Sequence, residues 1–167
     1  MGEFQEKLNS QLLSACRDGT LEEAKEWVNK GANINCVDDK KLTPLMKALD
    51  QNKCDIAEWL IEEKTIDVNR YNDYDNTALH YAVRFCKEFE FYSKLSNKKE
   101  AVSFLIANLG NKMDVNAVNK KNKEDKTVSM LVVEFHNVSA LQGLLAVKSI
   151  DWSIKDFKGR NSLELAQ

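Results

Sequence analysis

Asn76-Thr77-Ala78-Leu79-His80-Tyr81-Ala82 is one copy of a phrase that recurs along the chain. It appears earlier as Leu42-Thr43-Pro44-Leu45-Met46-Lys47-Ala48 and later as Lys126-Thr127-Val128-Ser129-Met130-Leu131-Val132. A last copy reads Arg160-Asn161-Ser162-Leu163-Glu164-Leu165-Ala166. Thr43 to Thr77 is 34 residues, Thr77 to Thr127 is 50, and Thr127 to Asn161 is 34 again. A fixed period of this length marks a stacked repeat, with one unit enlarged by an insertion. Each copy also starts a helix. Thr43, Thr77, Thr127 and Asn161 are good N-caps, because a short side-chain oxygen accepts an orphan N–H of the first turn. Pro44, the only proline, takes the first helical position, where a missing N–H costs nothing.

Outward from these starts, each copy is followed by a second apolar stripe at helical spacing. Leu8 to Arg17 reads as a first helix, broken at Asp18-Gly19. Thr20 then caps a second, with Glu23 completing a capping box and Leu21, Ala24, Trp27 and Val28 turned inward. Later second helices are expected around Ile56, Ala57, Leu60 and Ile61, around Ala101, Val102, Leu105 and Ile106, and around Val138, Leu141, Leu144 and Leu145. Met1 to Phe4 is set aside as a cloning remnant.

The phrase Thr43-Pro44-Leu45-Met46-Lys47-Ala48 resembles the ankyrin repeat, whose signature runs Thr-Pro-Leu-His-x-Ala. Met46 departs from it, and His80 keeps it. Gly31-Ala32-Asn33-Ile34-Asn35 is similar to the family's closing phrase Gly-Ala-Asp-Val-Asn. The resemblance implies an all-α repeat solenoid of paired antiparallel helices with β-hairpin-like fingers. It implies four repeats plus the start of a fifth in a single domain, 1–167, with units near 5–37, 38–71, 72–118, 119–155 and 156–167. An insertion near 87–99 lies in the third, read as a lengthened first helix followed by a polar loop at Ser96–Lys99. The last unit stops mid-helix, which points to a fragment of a longer chain.

Composition excludes several classes. The hydrophobic share of 43% and charged share of 30% are globular values, and the net charge is −2. That balance leaves no electrostatic footprint for nucleic acid or an anionic membrane. No secretory leader is expected, so Asn137-Val138-Ser139 is a chance match to the glycosylation pattern. Cys16, Cys36, Cys54 and Cys86 form no C-x-x-C pair and read as free thiols in a reducing compartment. No nucleophile–base–orienter set, phosphate-cradling loop or metal-ligand cluster is found, so no enzyme, cofactor or metal is expected. Lysine outnumbers arginine 20 to 4, which suggests an AT-rich genome such as that of a protist or intracellular bacterium.

The resemblance implies a cytoplasmic protein-binding scaffold, monomeric in isolation, or host-cytoplasmic if the source is an intracellular bacterium. The alternative is a targeting or regulatory domain cut from a larger enzyme, channel or bacterial effector. By alignment, finger-tip positions fall on Leu42, Tyr71, Tyr74, Asn76, Phe157 and Arg160, and exposed first-helix positions on Asp50, Gln51, Arg84, Phe85, Glu134 and Phe135. Partner contacts are expected at Leu42, Tyr71, Tyr74, Phe85, Phe135, Phe157 and Arg160, since aromatic and arginine side chains dominate interface energies. The bland alternative packs Phe85 and Phe135 between repeats. Phe85, Phe89 and Tyr92 share a helical face in the insertion, as a self-packed extension or a partner ledge. The resemblance gives His80 a bracing role between neighbouring turns.

Overall fold

The computed structural model describes residues 2–84 and 98–166. These form helices α1 Gly2–Asp18, α2 Leu21–Asn29, α3 Pro44–Asp50, α4 Cys54–Glu62, α5 over 78–84, α6 Lys98–Lys112, a single turn α7 Val115–Val118, α8 Val128–Glu134 and α9 Val138–Leu145. A 3-10 turn, Glu164–Ala166, follows. No strand occurs among the described residues, and one isolated antiparallel bridge joins Tyr71 to Thr77.

The helix starts follow from their caps. Thr43 accepts from the Met46 N–H at 3.2 Å, and Thr127 from the Met130 N–H at 3.4 Å. Thr20 and Glu23 close a reciprocal capping box. Asn161 accepts from the Glu164 N–H at 2.9 Å while Glu164 reaches back to the Asn161 N–H at 2.7 Å. At Thr77 the hydroxyl meets the His80 ring instead, 2.9 Å from Nδ1. The first helix begins earlier than Leu8, at Gly2. Gln5 ties that extra turn down by donating to the Gly31 carbonyl at 2.9 Å.

Packing runs in two rows. The outer helices pack in succession, α2 on α4, α4 on α6 and α6 on α9, while α1 packs on α3 and α8 on the terminal 3-10 turn. Leu12, Leu45, Leu49, Ile56, Leu60, Leu79, Ile106, Leu109 and Leu144 are fully buried between the rows. No unit could bury such a stripe alone, and stacking makes it one continuous core. Outer loops are stitched by asparagines. Asn35 accepts from the Asp67 N–H, Asn69 from the Asp114 N–H and Asn119 from the Asp151 N–H, each at 2.8 Å.

The α6–α9 contact is the most extensive and differs from expectation. Of the stripe assigned to α9, Leu144 is buried and Leu141 partly so, but Val138 and Leu145 face outward. The helix turns Ser139, Ala140, Gly143 and Leu144 inward instead. The cause is close approach. A Cβ on Gly143 would lie 2.7 Å from the Ser103 carbonyl oxygen and 2.8 Å from Ile106 Cβ. A Cβ on Gly110 of α6 would lie 2.5 Å from Val147 Cγ2. Ala140, Gly143 and Leu144 therefore form the buried seam of α9, while Val138 and Leu145 lie outside.

The aromatic insertion, with Phe85, Phe89 and Tyr92, lies outside the described residues. Lys98 and Lys99 belong to α6 and not to a polar loop.

Candidate functional site: a row of finger turns

Four turns repeat the same construction. Asp38 Oδ1 accepts from the N–H groups of Lys40 and Leu42. Asn72 does so from Tyr74 and Asn76, Asn122 from Glu124 and Lys126, and Asp156 from Lys158 and Arg160. One side-chain oxygen thus replaces two backbone partners in each turn. The residue three places on takes a left-handed conformation: Lys41, Asp75, Asp125 and Gly159, with φ between 58° and 75°. Asp and Gly there are ordinary, since short polar side chains and glycine tolerate this region. Asn72 also donates to the Tyr81 hydroxyl at 2.9 Å.

Neighbouring turns are tied together. The Asp73 N–H donates to the Lys40 carbonyl at 3.1 Å, and the Lys123 N–H to the Tyr74 carbonyl at 3.0 Å. Lys41 pairs with Asp73 at 2.9 Å and Lys120 with Asp75 at 3.2 Å. Asn122 donates to Asn76 Oδ1 at 3.0 Å. His80 sits beneath the row, nearly fully buried. Its Nδ1 takes the Thr77 N–H at 3.2 Å, which leaves the proton on Nε2 to reach the Lys126 carbonyl at 3.3 Å. Burial pushes its pKa down to about 4. Burial alone would raise the Asp38 carboxyl, but Lys47, 2.8 Å away, and the two turn amides outweigh it and hold the group below its usual range. The Arg160 backbone N–H, helped by its guanidinium, holds Asp156 at about 2.

Asn72→Ala removes, at a buried position, the oxygen that accepts from two turn amides and the N–H that donates to the Tyr81 hydroxyl. It is expected to cost about 2–3 kcal/mol in urea unfolding, because unsatisfied buried groups keep their full desolvation penalty. Asn72→Asp, the residue type used at 38 and 156, is expected to keep most of it.

The residues assigned to partner contact separate by environment. Tyr74 and Phe157 stand out at 53% and 73% exposed. Tyr74 lies between Lys40 and Lys123, which pair with no carboxylate among the described residues. Tyr71 is exposed, but Lys120 Nζ covers its ring at 3.9 Å. Arg160 grips Asp156 at 2.9 Å. Leu42 and Phe135 are partly buried against the core. Phe85 lies outside the described residues. Asp50, Gln51, Arg84 and Glu134 are exposed, and Glu134 pairs with Lys126. The Asp38, Asn72, Asn122, Asp156 series escaped the sequence reading, although its spacing is also 34, 50 and 34.

Other candidates resolve structurally. His136, with φ 52°, is a turn residue. Asn137 is buried and caps α9 through the Ala140 N–H, so it is closed to glycosylation. Burial pushes the Cys16 thiol up to about 12 and Cys36 to about 11, which leaves both as inert thiols. Cys86 lies outside the described residues. Among the described residues no helix is long and apolar enough to cross a membrane, and no group of three metal-ligating side chains converges.

Paired helices, a shared core and a row of linked finger turns define a helical repeat solenoid. A family model of ankyrin repeats, in three copies, matches residues 12–93, and that stretch belongs to the ankyrin-repeat family. A comparison with curated proteins finds no match. Proteins of this family are generally protein–protein interaction modules and typically non-catalytic.

Proposed function

We propose that this chain is a scaffold that holds a partner protein on its finger row, with Tyr74 and Phe157 as the anchoring side chains. The observation that supports it is the pre-set row itself. Each turn is closed by its own Asp or Asn, and the first three turns are bonded to each other. An exposed aromatic on such a turn loses little conformational freedom on binding, which leaves more of the contact energy for affinity. Lys40 and Lys123 beside Tyr74 fit a partner with carboxylates around an apolar centre. Exposed first-helix positions such as Asp50 and Arg84 would widen the contact. A net charge of −2 favours protein over nucleic acid as ligand. Buried thiols at Cys16 and Cys36 fit a reducing, cytoplasmic setting.

Wild-type chain and a Tyr74→Ala/Phe157→Ala variant serve as parallel baits in lysate of the source organism or its host. The variant is expected to melt within a few degrees of wild type, since both rings are exposed. It is also expected to lose the captured protein. Equal capture by both baits would move the contact off the fingers.

A further inference from the structure

We propose that two copies of this chain associate about a two-fold axis through the outer face of α9. This goes beyond the finger reading and does not depend on it. Val138, Leu141 and Leu145 are three and four residues apart, so they share one face of α9. Val138 and Leu145 are 61% and 66% exposed. The opposite face, Ala140, Gly143 and Leu144, is the one packed inward. The exposed stripe therefore continues the succession α2, α4, α6, α9 one step further, at the point where its main described neighbours are α6 and α8.

The occupant is argued from charge. Val138–Leu145 reads VSALQGLL and carries no ionisable side chain, in a chain that is 30% charged. The opposite end of the stack is different. There α2 shows Glu22 and Glu26 to solvent, and Gln11, Asp18 and Glu23 line, with Trp27, a shallow cleft of about 270 Å³. A head-to-tail stack would press the apolar stripe against charged groups and strand them without water. Against its own copy, the stripe meets apolar surface with no like charges across the axis. Self-complementary contacts of this kind close as dimers. On this proposal the chain forms a reversible dimer with a small, weak interface, where the sequence reading expects a monomer.

Sedimentation equilibrium of the whole chain, from about 10 µM to about 1 mM, spans the range of a small interface. The expected average mass rises from 19.1 kDa toward twice that value. Leu145→Glu places carboxylates across the axis and is expected to weaken association at least tenfold, with the melting temperature retained. Phe104→Glu, at an exposed site on α6, is expected to leave it unchanged, as is the finger variant. An equimolar mixture of Leu145→Glu and Leu145→Lys chains should associate again. A constant 19.1 kDa at every concentration would overturn the proposal. So would a Leu145→Glu dimer as tight as wild type, or assembly that grows past two copies.

Discussion

Gly143→Leu is expected to lower stability by about 3 kcal/mol or more, near the upper end of the overpacking range. A single methyl at this position already falls 2.7 Å from the Ser103 carbonyl and 2.8 Å from Ile106 Cβ. Neither can yield easily. One is helix backbone, and the other belongs to a side chain with no exposed surface. Helix propensity favours leucine over glycine by somewhat less than about 1 kcal/mol, so the clash decides the sign. Gln142→Leu, one position away on the exposed face, is expected within about 0.5 kcal/mol of wild type. Urea denaturation of the two variants reads the difference. Equal stabilities would mean that α9 does not present Gly143 to α6.

Acid is expected to remove on the order of 3 kcal/mol through His80. The native ring holds its pKa at about 4, against an unfolded value of about 6.5. Above pH 6.5 both states are neutral and the group contributes nothing. Below it, the unfolded chain takes up a proton that the native chain refuses, so stability falls with pH until the native ring protonates near pH 4. Burial explains the refusal. The ring is almost wholly out of water, and its Nδ1 already accepts from the Thr77 N–H. Depressed carboxylates such as Asp156 contribute on the acid side as well, lost as pH falls from the ordinary value of 3.8 through about 2. The His80 share is therefore read as the difference in slope between wild type and His80→Gln from pH 6.5 to pH 4. The variant should be less stable at neutral pH and show a flatter limb. Parallel limbs would remove His80 from the account.

The helix starts were legible because their causes are local. Thr43, Thr127 and Asn161 cap within three residues, and a local bond leaves a local sequence mark. The second helices were legible where large residues alone define the buried face, as at Ile56, Ala57, Leu60 and Ile61. On α9 that rule misleads. The seam with α6 is so close that Gly143 and Ala140 occupy it, and the large residues left over lie outside. Hydrophobic size reads burial only when the partner helix stands at ordinary distance. The finger turns were less legible. Asp38, Asn72, Asn122 and Asp156 are of two residue types, and only the shared bonding of one oxygen to two amides makes all four equivalent. The asparagine stitches at 35, 69 and 119 reach across 32 to 45 residues, and nothing in the local sequence announces so distant a partner.

The scaffold reading is tested most directly by site-specific photocrosslinking. A benzoylphenylalanine is placed at position 74 and, in parallel, at position 104 on the exposed face of α6. Both chains are then irradiated in source or host lysate. The account predicts one discrete protein adduct from position 74, abolished when Phe157 is also alanine, and no such adduct from position 104. The same adduct from 104 with none from 74 would contradict it, and would move the binding surface from the fingers to the outer helices.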